Sequence, residues 1–394
     1  MVESFKALFE YVDGQGYMGW DPYDGLNSRF FQSLPVVSKN RYFRLAWMQL
    51  FKRLPFNLRP LVSISKDYNP KALGLFLSGF CKLYQLSPAI LITFGLSKEK
   101  IKAKIEFFVA KITELQTPGW SGSCWGYNFD WQARAFFQPR FTPTVVATSF
   151  VANALLDAYE ITCNEKLLKL ARSSCDFILK DLNRTEDDNG NFAFSYSPLD
   201  HTVVYNASLL GSRLLARVFS LTSEDDLIKT SAKSVVYCCN QQHSDGSWQY
   251  GALHFHQWID NFHTGYNLEC IAEYMRYSGD NSFDFNLKTG LDYYINTFFT
   301  REGIPKYFNN STYPIDIHAP AQLVITLAKT GKFNANRDLV DRVMDWTILN
   351  MQSSKGYFYF QKKKNFTSRI PYMRWSEAWM FYAMAEYFLQ TDKG

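Results

Sequence analysis

Apolar positions recur along this chain with a period near 3.6, and almost nowhere with the period of 2 that a half-buried strand requires. In "KEKIKAKIEFFVAKITELQ", Ile101, Ile105, Phe108, Ile112 and Leu115 fall on one stripe while charges take the rest, which predicts a helix with one face on a core. "EKLLKLARSSCDFILKDL" repeats the pattern with Leu168, Ala171, Cys175, Ile178 and Leu182. A second kind of segment is small and apolar nearly all round: "TPTVVATSFVANALLDAY", "YNASLLGSRLLARVF" and "HAPAQLVITLA" predict helices buried on most sides. These all-round segments fall at about 70–86, 143–161, 204–221, 262–278, 318–331 and 374–390. The one-sided ones fall at about 98–115, 164–182, 223–242, 284–299 and 336–352, with two more near 3–13 and 40–53. That is one helix too many for six clean pairs.

The connections repeat as well. After each one-sided helix comes a glycine and then aromatics two apart: "WGYNF" at Gly126, "GNFAF" at Gly190, "GSWQY" at Gly246, "GIPKY" at Gly303 and "GYFYF" at Gly356. Successive glycines lie 64, 56, 57 and 53 residues apart. A helical pair per repeat of this length is a repeat architecture. Inner helices buried throughout predict a ring closed on itself. The expectation is an all-α (α/α)6 toroid with an incomplete or irregular first hairpin and long aromatic-rich loops at one mouth. It would be a single domain over 1–394, with 1–69 as an irregular N-terminal segment.

Every histidine lies in those loops or at the start of an all-round helix: His201, His243, His254, His256, His263 and His318. Acidic residues accompany them in Asp200-His201, Asp260-x-x-His263 and Asp316-x-His318, and Arg374-x-x-Glu377 stands at the same place in the last repeat. On a toroid these positions converge on one cavity. Asp260, His263 and Asn267 share a helix face, as do His201 with Tyr205 and His318 with Gln322. Asp260 and Asp316 read equally well as helix caps. The candidate catalytic groups are Asp260 and His263 at the centre, with Asp200, His201, Tyr205, His318 and Glu377 around them. Aromatic rings stack on pyranose faces, so the candidate binding surface is Trp248, Tyr250, His256, Trp258, Tyr266, Trp375, Trp125 and Trp20. Asp316, Asp24, Arg140 and Arg374 would take hydroxyls or a carboxylate, Arg374 as a clamp. At least half of the repeated loop aromatics are expected to be pegs between hairpins instead.

Composition narrows the classes. An aromatic content of 17% is high, and much of it lies outside the helices, whereas a net charge of +5 leaves no nucleic-acid footprint. Seven cysteines without C-x-x-C spacing read as reduced, buried thiols. No signal-peptide pattern opens the chain, and "AILITFG" is too short to span a bilayer, so a cytoplasmic protein without an integral membrane segment is expected. "KKK" at 362–364 reads as a solvated tip. "GQGYMG" at 14–19 lacks the strand–turn–helix context of a dinucleotide site. No metal site and no cofactor are expected, and no protein partner is indicated.

The chain resembles the six-hairpin glycosidase superfamily in layout. "GWDPYDGLNS" (19–28) and "WIDNFHTGYNLE" (258–269) resemble proteins encoded in bacterial capsule and O-antigen clusters, and "QPRFTPTVVATSFVANALLDAYE" (138–160) is similar in layout to D-glucuronyl C5-epimerases. The resemblance implies a carbohydrate-active enzyme of surface-polysaccharide synthesis, acting on an oligosaccharide or polysaccharide that contains uronate. Proton abstraction by a histidine or tyrosine, as in an epimerase or lyase, is favoured over hydrolysis by paired carboxylates. A non-catalytic glycan-binding or assembly protein remains open. So does a terpenoid cyclase or prenyltransferase, since "QHSDGSW" (242–248) fits the Q-x3-G-x-W repeat of those toroids and "QSSKGYF" (352–358) is a degenerate copy.

Overall fold

Side-chain caps fix where several inner helices begin. Asn69 caps Pro70–Tyr84, Thr144 caps Val145–Thr162, and Asp260 caps Asn261–Ser278, each carboxamide, hydroxyl or carboxylate accepting from free first-turn N–H groups. Tyr205–Thr222 and His318–Lys329 follow the same course, and a π turn over Met373–Glu377 leads into Ala378–Asp392. In the computed structural model, which describes residues 1–392, each of these six packs on the next and the last packs back on Pro70–Tyr84. The six outer helices are Val2–Gly14, Lys98–Glu114, Glu165–Lys180, Asp225–Cys239, Asp284–Phe298 and Arg337–Met351. The fold is an all-α (α/α)6 toroid.

The irregularity expected at the first hairpin has a simple form. Val2–Gly14 is an outer helix that packs on the final inner helix, with the Phe5 ring 5.4 Å from Phe381 and 5.5 Å from Phe388. One hairpin is therefore assembled from the two ends of the chain. The surplus helix, Arg41–Arg53, belongs to the long connection 15–69 and lies at the mouth, where Trp47 Nε1 donates to Gly25 O. All long connections run from an outer helix to the next inner one, so they gather at the N-terminal ends of the inner helices. Their strands are two or three residues long, too short to show a period of 2.

Three of the five repeated glycines have a steric cause, whereas Gly126 meets its own loop at Thr142 O and Gly190 has open space beside it. A Cβ at Gly246 would lie 2.3 Å from Thr289 O, one at Gly303 2.6 Å from Arg342 O, and one at Gly356 2.1 Å from Ala7 O. In each case the loop backbone touches the next outer helix, and the left-handed φ at these three glycines excludes a side chain as well. Gln242 Nε2 bonds Gly246 O and Asn286 O, while Gln352 Nε2 bonds Gly356 O and Ser4 O. The Q-x3-G spacing thus ties a loop to its neighbouring hairpin, which removes its weight as a sign of terpenoid chemistry. Trp248 Nε1 donates to Cys238 O and Trp125 Nε1 to Ile112 O, and both rings are buried. These two are pegs. Trp248→Ala is expected to cost about 3–5 kcal/mol of stability, read by denaturant unfolding, with sugar affinity unchanged.

Candidate active site

Asp260 does two jobs at the mouth. Its Oδ1 accepts from His263 N at 3.0 Å, closing the cap, while Oδ2 accepts from His263 Nδ1 at 2.7 Å and Trp258 Nε1 at 2.9 Å. A carboxylate on Nδ1 fixes the proton there and leaves Nε2 as the free, basic nitrogen. The His263 side chain is 21% exposed, so that nitrogen has access to the mouth. Tyr250 stacks on Trp258 at 4.5 Å and lies 4.6 Å from the imidazole.

A second acid–base pair stands one turn on. The Tyr266 hydroxyl is 2.8 Å from His318 Nε2, and Lys71 Nζ approaches the same hydroxyl at 3.5 Å. Phe262 touches both imidazoles, stacking parallel on His318 at 4.3 Å and lying 4.3 Å from His263. Burial first, with the Arg374 charge adding to it, pulls His318 well below the ordinary histidine range, so it is neutral at neutral pH. Asp316 sets the start of that helix: Oδ1 accepts from His318 N and Trp375 Nε1, and Oδ2 from Gln361 Nε2. Burial pushes its carboxyl up to about 6.

Lys71 was not legible as a site residue. It sits in the first turn of Pro70–Tyr84, buried, its Nζ 4.1 Å from the Phe150 ring centre and 5.3 Å from that of Trp379. Among the described residues no carboxylate lies within ion-pair distance of it, and burial, then Arg374, drives its amine well below the usual lysine value. A charged residue in the first turn of a mostly apolar helix, "NPKALGLFLSGF", was the available signal. Since the unfolded chain holds this proton at pH values where the folded chain does not, Lys71 makes stability rise with pH until the unfolded lysine deprotonates. Lys71→Met is expected to remove a slope of up to about 1.4 kcal/mol per pH unit, measured by urea unfolding between about pH 7 and pH 9.

Below this site the ring is closed by ion pairs. Arg213 meets Glu269 at 2.8 Å and Glu273 at 3.4 Å, Arg217 meets Asp157 at 2.8 Å, and Lys329 meets Glu273 at 2.9 Å. They line a small cavity under Phe150 and Trp379, and give the mouth a charged floor.

The structure brings together Asp260, His263, Tyr266, His318, Asp316, Trp375, Tyr250 and Trp258, with His256 edge-on to Tyr250 at 5.0 Å. Several other candidates are placed elsewhere, each for a physical reason. Arg374 is no free clamp: it binds Asp21 at 2.5 and 2.8 Å and lies over Tyr127 at 5.0 Å and Trp375 at 5.2 Å. Asp200 accepts from the N–H and hydroxyl of both Ser197 and Thr202, which locks a turn, and His201 beside it is exposed. Tyr205 lies by Tyr237 and Cys238 of the outer layer, and burial pushes it up to about 12. Glu377 accepts from Phe358 N in full burial, which raises its carboxyl well above the usual range. Asp24 pairs with the buried Arg59 at 2.7 Å, and Trp20 Nε1 donates to Ile64 O. Arg140 is exposed, and Trp125 and Trp248 are the pegs described above.

No known protein-family profile matches the chain, and no curated protein sequence matches it. Solved structures do. A cellobiose 2-epimerase from Bacillus thermoamylovorans superposes with a TM-score of 0.62 at 13% identity, over 82% of this chain and 88% of that one. An unsaturated glucuronyl hydrolase specific for heparin gives 0.59 at 11% identity, over 85% and 90%. A D-mannose isomerase gives 0.58 at 12% identity, over 82% and 87%. At these identities the likeness is one of fold.

Proposed function

We propose that this protein is a carbohydrate epimerase or a related proton-transfer enzyme, using the Asp260–His263 and Tyr266–His318 pairs on a carbon beside a sugar carbonyl or carboxylate. The observation that carries the reading is the two imidazoles on one phenyl ring, one polarised by a carboxylate and the other neutral and bonded to a phenol. His263 Nε2 takes the proton from carbon, and Asp260 stabilises the imidazolium that forms. Tyr266 donates to the developing enolate oxygen, the group that such a reaction must stabilise. His318 donates to the Tyr266 oxygen and so aims the phenol proton at the enolate. The imidazolium of His263, once its proton has exchanged with solvent, returns a proton to carbon, so that one C–H bond breaks, another forms, and the composition of the sugar is unchanged.

Carboxylate geometry argues against hydrolysis. Asp260 and Asp316 each spend both oxygens on protein donors, and Asp316 is fully buried. The superposed epimerase and isomerase support a sugar substrate. The resemblance of "GWDPYDGLNS" and "WIDNFHTGYNLE" to capsule and O-antigen proteins supports a place in surface-glycan synthesis on a uronate-containing chain, and the cytoplasm is the compartment we infer. If the sugar is a uronate, its carboxylate is held by groups other than Arg374.

The test is mass spectrometry of neutral reducing sugars and uronate-containing glycans incubated with the protein in heavy water. Deuterium uptake at carbon without cleavage is the expected result. Cleavage with addition of solvent sinks the proposal in favour of a hydrolase, and tight binding without any exchange favours a non-catalytic glycan-binding protein.

A further inference from the structure

The connection 15–69 contains a stretch unlike the rest of the molecule. From Ser28 to Lys66 it carries eight lysines and arginines and no acidic residue, while the remainder of the chain has 34 basic against 37 acidic side chains. The same stretch holds eight of the seventeen exposed large apolar side chains among the described residues. Val36 is 83% exposed, Leu61 80%, Tyr42 77% and Phe56 70%. Arg59 is buried against Asp24, which leaves seven of these cations beside the exposed apolar groups.

The stretch is a folded unit. Helices Arg29–Gln32, Pro35–Lys39 and Arg41–Arg53 pack on one another, and Ser28 Oγ donates to Val62 O, holding the turn Pro60–Val62 beside them. Arg41–Arg53 is apolar on two sides. Met48 and Phe51 point into the protein, whereas Tyr42, Ala46 and Leu50, at i, i+4 and i+8, form an exposed apolar stripe. The lysine-rich hairpin joins the patch, Lys363 Nζ reaching Arg53 O at 3.5 Å and Phe366 exposing its ring nearby in sequence. Lys52 donates to the Tyr23 hydroxyl and Trp47 to Gly25, so the patch adjoins the mouth.

We infer that this surface docks the protein on an anionic lipid bilayer, with the mouth of the toroid beside the membrane. The chemistry commits to that occupant. Exposed rings and aliphatic groups enter the headgroup boundary while lysines and arginines pair with anionic headgroups, and reversible anchoring takes both signals together. A second copy would bring the same positive charge against itself. A nucleic acid would meet the cations but would leave Val36 and Leu61 against phosphate, with nothing apolar to cover them. No helix among the described residues is long and apolar enough to cross a membrane, so any attachment by this chain's helices is at the surface.

Co-sedimentation with vesicles tests this independently of the proposed chemistry. The protein is expected to pellet with phosphatidylcholine vesicles containing about 30 mol% phosphatidylglycerol, and at least about tenfold less with phosphatidylcholine alone or in high salt. The double variant V36D/L61D is expected to lose about tenfold or more in partitioning. Both side chains are solvent-exposed, so its circular dichroism and its deuterium exchange on a water-soluble sugar should match the parent. K363E/K364E is expected to weaken partitioning by about fivefold or more for each lysine. Three results would overturn the inference: no binding to anionic vesicles, undiminished binding by V36D/L61D, or a parent dimer that this variant splits. Tighter binding to a DNA duplex than to vesicles would overturn it too.

Discussion

Replacing His263 by alanine is expected to slow deuterium exchange at carbon by about 10²–10⁴-fold, with the fold and the sugar affinity retained. The side chain is partly exposed and makes its one hydrogen bond to Asp260, so little packing is lost. Asp260→Asn is the sharper companion experiment. Asparagine caps a helix about as well as aspartate, so Asn261–Ser278 should still begin at the same place. The charge that stabilises the imidazolium is gone, however, and kcat should fall while KM holds. An enzyme that ran on two carboxylates would respond in another way: His263→Ala would be tolerated, and Asp316→Asn would abolish turnover. Steady-state kinetics of the three variants on a sugar that exchanges deuterium decides between the two.

Arg374→Met is expected to destabilise the protein by about 3–5 kcal/mol, a fall large enough to be seen directly in the thermal midpoint. The guanidinium is buried, bonded twice to Asp21 and enclosed by Tyr127, Phe129 and Trp375. Its removal leaves the Asp21 carboxylate buried and unpaired. Adding Asp21→Asn to Arg374→Met should recover part of the loss, because the stranded charge goes with it. Were Arg374 a clamp for a substrate carboxylate, the single variant would raise KM and leave the midpoint in place. The double-mutant cycle, with unfolding and kinetics on the same samples, separates these outcomes.

The helices were legible because burial of a helix leaves a period. All six inner and all six outer ones begin and end close to where the apolar pattern put them, and at Gly246, Gly303 and Gly356 the repeated glycine marks a backbone contact with the next outer helix that no side chain tolerates. Pairing across the chain ends left no such trace. Val2–Gly14 looks like any other one-sided helix, and the contacts of Gly356 with Ala7 and of Phe5 with Phe381 show which position it fills. At the mouth, sequence spacing located Asp260 with His263 and Asp316 with His318, since cap and ring lie within one turn of each other. It could not separate these from the adjacent Asp200 and His201, where the aspartate locks a turn and the histidine is exposed. Lys71 and Asp21 escaped because their partners, Tyr266 and Arg374, are 195 and 353 residues away. Polar contacts between remote segments leave no periodic signal, and they are what decides which aspartate or arginine is free to meet a ligand.

The hairpin shared by the two termini also bears on how the chain reaches its native state during synthesis. Phe5, Leu8 and Val12 are synthesised well ahead of Phe381 and Phe388, the rings that cover Phe5, with the rest of the ring in between. Throughout that interval Val2–Gly14 carries an apolar face without its final partner, a state that invites aggregation or capture by a chaperone. Closure of this shared hairpin, rather than growth of successive hairpins, is then the event that seals the ring.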